Sequence, residues 1–145
     1  YDGVVSTDQT ATSINTAYAL TFTQTLASGI AAGTPASRLI VSEGGQFFVS
    51  FASQIASSSA STLTFYFWFR INGVDVPHST MENSLHSNNA TLAVSRSAIL
   101  QLVANDYVEL MWAVDSTSGT LQASAATAFA PANPAATLSI VRLHG

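Results

Sequence analysis

Hydrophobic and polar residues alternate with a period of two through much of this chain, in runs rich in β-branched and aromatic residues. The clearest run is Leu63 to Ile71 (LTFYFWFRI). Successive side chains of a strand point to opposite faces, so Leu63, Phe65, Phe67, Phe69 and Ile71 share one face and Thr64, Tyr66, Trp68 and Arg70 the other. The first face is core. The second carries a Tyr and a Trp, which the outer face of a sandwich strand does not ordinarily offer to water. Tyr107 to Val114 repeats the pattern, with Val108, Leu110, Trp112 and Val114 on one side and Tyr107, Glu109, Met111 and Ala113 on the other. The inner faces of a two-sheet sandwich are already occupied, so the cover predicted for these second faces is a neighbouring subunit.

Turn residues recur roughly every ten positions. Between them, strands are predicted over 18–23, 38–42, 46–55, 63–71, 93–102, 107–114, 120–128 and 137–143, with almost no helix. Short edge pieces would bring the total to the about 8–10 antiparallel strands of a jelly-roll β-sandwich, an all-β fold. One domain over residues 1–145 is expected, with residues 1–15 as an extended N-terminal arm. Asn72-Gly73 supplies two residues tolerant of positive φ, so Phe69 to Ile71 should fold back onto Val74 to Val76, with Pro77 ending the ladder. The short Ala104 to Asp106 link is expected to make 93–102 and 107–114 a hairpin, and Asp115 to Gly119 reads as a further turn. The Ala-rich stretch 121–134 has helical propensity, but a preceding Gly and flanking strands favour a strand at its start.

Composition narrows the function. Charged residues make up 8% of the chain, against about 25% in typical soluble proteins, and there is no Lys, only four Arg. The surface must therefore be largely hydroxyl, amide and Ala, which suits a protein that hides much of it in an assembly. A net charge of −4 with no basic cluster removes the electrostatic term behind nucleic-acid binding. The absence of Cys removes disulfides, thiol catalysis, iron–sulfur sites and thiolate zinc sites. No apolar run approaches the roughly 18 residues that cross a bilayer, so no membrane partner is expected.

His78, Glu82 and His86 recur every four residues and on a helix would align as metal ligands. Pro77 before them and the Asn and Ser residues among them predict a loop instead, which spoils that geometry and leaves the segment as a partner-contact loop. No Gly-x-Ser-x-Gly elbow or phosphate loop occurs, and the acids lie mostly at turns, so no catalytic, cofactor or metal site is expected. Asn89-Ala-Thr91 matches a glycosylation acceptor.

Several stretches carry a resemblance. EGGQFFVSFASQI from Glu43, FWFRINGVDVP from Phe67, AILQLVANDYVELMW from Ala98 and ATLSIVRLHG at the end follow the order of motifs in C1q/TNF-like heads. The chain also looks like the trimeric heads of spore-surface collagen-like proteins. STDQTATSINTAYALTF, YFWFRINGVDVPHST and NDYVELMWAVDST resemble small virion proteins of bacteriophages, particularly those of cyanobacteria. Asn105 replaces the Gly that C1q/TNF-like heads usually place before Asp106, an exchange that Asn tolerates because it also accepts positive φ. The resemblance implies a C1q/TNF-like jelly roll assembling as a homotrimer. It also implies a non-enzymatic virion structural protein at the particle surface that decorates and cements a capsid, with the major capsid protein or other virion proteins as partners. One alternative it leaves open is the receptor-binding head of a tail or head fibre, with a host receptor or glycan as partner. A second is an extracellular C1q/TNF-like ligand. The subunit interface is expected at Tyr66, Trp68, Arg70, Tyr107, Glu109 and Met111, with Arg70 or Glu109 meeting an opposite charge there.

Overall fold

A computed structural model describes residues 1–145 as fourteen strands and no helix. In chain order they are β1 (Asp2–Val5), β2 (Gln9–Thr10), β3 (Tyr18–Ala19), β4 (Thr23–Leu26), β5 (Ile30–Ala32), β6 (Leu39–Val41) and β7 (Gly45–Ser57). There follow β8 (Leu63–Ile71), β9 (Val74–Asp75), β10 (Met81–Leu85), β11 (Thr91–Leu102), β12 (Tyr107–Val114), β13 (Gly119–Leu121) and β14 (Ala136–His144). They form two antiparallel sheets. The first is organised by β7, which pairs along one side with β11 and along the other with β14 and then β13; β1 joins β14, β4 joins β1 and β2 joins β13. In the second sheet β8 pairs with β12 on one side and with β10 and β9 on the other, and β12 continues to β3 and β6, with β5 outside β6.

The inner faces follow the period-two pattern. Phe47, Val49, Phe51 and Ile55 of β7 are buried against Leu63, Phe65, Phe67 and Phe69 of β8 and Val108, Leu110, Trp112 and Val114 of β12. Phe51 reaches across the gap to two rings of the opposite sheet, tilted against Phe67 at 5.1 Å between centroids and edge-on to Phe69 at 5.9 Å. Ser53, a polar residue on the β7 inner row, donates to the Ala135 carbonyl at 2.8 Å.

β8 and β12 have the bounds that their alternation predicts, and Asn72-Gly73 takes φ values of 50° and 80° to return the chain into β9. Elsewhere the structure corrects the pattern. Strands 93–102 and 107–114 do not form a hairpin, because β11 lies in the first sheet beside β7 and β12 in the second beside β8. The link between them is a corner whose backbone is engaged elsewhere: Asn105 N–H donates to the Val41 carbonyl, and Val41 N–H donates to the Asp106 carbonyl. A short connection limits distance, but does not say whether the next strand stays in the sheet. The run 18–23 likewise divides into β3 and β4, one in each sheet, with Leu20 and Phe22 buried at the crossing. The strand expected over 120–128 ends at Leu121, after which Ser124 bridges Asn133 in an exposed Ala-rich excursion. Residues 81–85, expected within a loop, are strand β10, whose five residues pair with β8. The N-terminal stretch is extended, with β1 laid between β14 and β4 and Tyr1 in the core.

Phe67 is fully buried between the sheets. Phe67→Ala is expected to lower unfolding stability by about 3–5 kcal/mol, read as an earlier midpoint in urea with an unchanged slope. A loss below about 1 kcal/mol would show that the site collapses around the missing ring and that Phe67 is not central to the core.

Candidate functional site

The outer face of the second sheet gathers most of the residues expected at a subunit interface. Across β8 and β12, Arg70 stands opposite Glu109, Trp68 opposite Met111 and Tyr66 opposite Ala113. Tyr107 sits at the end of β12, its ring 4.5 Å beneath the Arg38 guanidinium. The face is partly closed by the chain itself. Met111 is 3% exposed, between Trp68 of β8 and Ala19 of β3, and Glu109 is 7% exposed and accepts a hydrogen bond from the Ser37 hydroxyl at 2.7 Å. Arg70 turns away from Glu109 and pairs with Asp75 on the next strand, Nε to Oδ1 at 2.8 Å. Arg70 thus has its opposite charge within its own chain, leaving Tyr66, Trp68, Arg70 and Tyr107 as the half-buried part of the face.

Of these, Tyr66 and Trp68 border a shallow groove of about 340 Å³ lined also by Asn15, Ala17, Asp75, Thr80 and Ala113. The Asn-Gly turn brings Asp75 back beside β8, where the Trp68 indole donates to Oδ1 at 2.7 Å alongside Arg70. The hydrogen bonds from Arg70 first, and then from Trp68, hold the Asp75 carboxyl below its ordinary pKa against the opposing cost of desolvation. Asn15 reaches the groove from the other side, its backbone N–H bound to the Val114 carbonyl at 2.9 Å and its φ at 51°. The buried Ser79 hydroxyl braces the loop after β9, donating to the Val76 carbonyl and accepting from Phe69 N–H.

His78, Glu82 and His86 do not converge. His78 lies on the loop at φ 61°, with its carbonyl held by Arg96; Glu82 is on β10 opposite Tyr66; and the His86 ring meets the Thr62 hydroxyl at 3.1 Å. No group of three His, Cys, Asp or Glu side chains is arranged to hold a metal ion.

The outer face of the first sheet carries a feature that the sequence reading missed. Ile99 of β11, Phe48 of β7 and Val141 of β14 are direct cross-strand neighbours and form one row, exposed by 63%, 38% and 52%. The next row, Ser97, Ser50 and Ser139, is entirely hydroxyl. A signal was present at Phe47-Phe48: adjacent residues of a strand cannot share a face, so one of the two rings had to point outward.

Because the folded Asp75 carboxyl is held below its ordinary value, the stabilisation it brings is fully present above the unfolded value near about pH 4 and is lost as pH falls through the lower folded value. Trp68 emission is therefore expected to change on acidification through and below that point, and Asp75→Asn should abolish that change. Trp112, buried in the core, provides a constant background. Superimposable acid titrations of the two proteins would refute the coupling.

No protein-family model matches the sequence, and no curated protein matches it either.

Proposed function

We propose that this chain is a non-enzymatic structural protein of a virus particle that self-associates as a homotrimer and decorates an assembled shell. The observation that carries self-association is the row Ile99, Phe48 and Val141 across three strands of one outer face. Aligned large apolar side chains left to water favour association with a like surface, since removing apolar area from water contributes roughly 25 cal/mol per Å² before the costs of association. A homomeric partner needs no other component, and a chain with only 8% charged residues offers little like-charge repulsion against its own copies. This puts the proposed contact on the first sheet, because Glu109 and Met111 on the second are already enclosed within one chain.

The strand order supports a jelly-roll reading. One sheet runs β1, β14, β7, β11 and the other runs β6 with β3, then β12, β8, β10, so the two sheets exchange strands repeatedly along the chain, as interlocked Greek keys do. The threefold number and the viral setting come from the resemblance to C1q/TNF-like heads and phage virion proteins. A protein that binds the assembled shell and not its free subunits stabilises the shell by mass action.

Sedimentation equilibrium at micromolar concentration is expected to give a trimer, and Ile99→Asp or Val141→Asp to shift it toward monomer with the β-rich circular dichroism retained. A monomeric parent protein would overturn self-association. Few copies per isolated particle, or no binding to emptied shells, would overturn the decoration role while leaving the trimer standing.

A further inference from the structure

The groove on the outer face of the second sheet has the chemistry of a saccharide site, and we propose that it binds a neutral sugar. Two half-buried aromatic side chains, Tyr66 and Trp68, lie on it two residues apart on one strand, about 7 Å along the chain. Ala17 and Ala113 add small apolar side chains to its lining. Around these stand the Asn15 amide and the Tyr66 and Thr80 hydroxyls, none of them engaged in a side-chain hydrogen bond within the chain, and the Asp75 carboxylate, which uses Oδ1 for both of its internal donors and leaves Oδ2 free.

This combination suits a pyranose better than a protein side chain or a lipid. A sugar ring presents C–H patches on its faces and a rim of hydroxyls, each both donor and acceptor. Aromatic side chains match the first, while carboxylate, amide and hydroxyl groups match the second. The groove is prepared for such a ligand: the Trp68 indole is held in orientation by Asp75, and Asp75 in turn by Arg70, so little side-chain freedom remains to be lost on binding. Arg70 is committed to Asp75, no cation lines the groove and the chain carries a net charge of −4, so an acidic sugar would meet repulsion. The site lies on the opposite sheet from the Ile99, Phe48 and Val141 row and does not depend on self-association.

The test uses the purified full chain with methyl glycosides of glucose, galactose, mannose and N-acetylglucosamine, followed by saturation-transfer NMR and by tryptophan emission. At least one glycoside is expected to bind with a millimolar Kd, the range for a shallow open site, and to perturb Trp68 emission. Trp68→Ala should abolish binding. Two gentler changes keep the result interpretable if that variant folds poorly. Tyr66→Phe removes one hydroxyl, and Asn15→Gly removes one amide at a position of positive φ; each should weaken binding roughly fivefold without lowering the melting temperature. Ile99→Asp should leave binding unchanged, which separates this site from the proposed trimer contact. Absence of saturation transfer from all four glycosides overturns the proposal. So does a Trp68 emission change that follows protein concentration in step with sedimentation, because a second copy would then occupy the groove. Tighter binding of N-acetylneuraminic acid than of any neutral glycoside would also overturn it.

Discussion

Phe51 of one sheet lodged against Phe67 and Phe69 of the other is the contact on which the remaining geometry depends. It sets the spacing of the sheets and the phase of β7 and β8 together. The side-chain period of a strand is two, so a one-residue slip of β8 would drive Trp68 and Arg70 into the core and expel Phe67 and Phe69. Five buried or half-buried apolar residues on that inner face oppose the slip, and every outward residue takes its place as a consequence. Asp75 meets Trp68 and Arg70 only because the core holds β8 in this phase and the Asn-Gly turn returns the chain without a bulge.

Scarcity of charge has a structural counterpart. Seven of the eight carboxylates accept a hydrogen bond within the chain, so they serve as acceptors at corners and strand ends more than as a solvating coat. Asp115 caps Thr64 N–H, Asp106 takes Val103 N–H and the Asn72 amide, and Asp8 takes Ala123 N–H. Each ties segments whose backbone groups would otherwise lack partners where the chain changes direction. Solubility is left to Ser, Thr, Asn and Gln. Such a neutral surface does little to repel a second copy, in keeping with the association proposed for the first sheet.

The two outer faces suit different partners. On the first sheet the exposed row is apolar and bordered on one side by serines, a surface that fits another apolar surface. The second sheet is indented, and its aromatic residues are accompanied by polar groups without internal partners, which fits a small polyhydroxylated molecule.

Much of this was legible in the residues. The alternation of Leu63 to Ile71 and of Tyr107 to Val114 determined both strands and which side chains share a face, because the period of a strand is a local property of the backbone. Asn72-Gly73 determined a tight return because few residue pairs tolerate two successive positive φ values. Short strands such as β2, β3 and β9 hold too few residues to show a period, and β10, with the pattern MENSL, buries only its last residue well. What covers an outward residue was not legible at all, since Ser37 over Glu109, Asp75 on Trp68 and Asn15 beside Tyr66 come from elsewhere in the chain or from its far side of a turn. Sheet membership was also decided by the tertiary structure. Whether the chain turned back at Ala104 to Asp106 or crossed to the other sheet depended on Val41 being there to take the corner's hydrogen bonds, and no local pattern of side chains encodes the position of a strand sixty residues away.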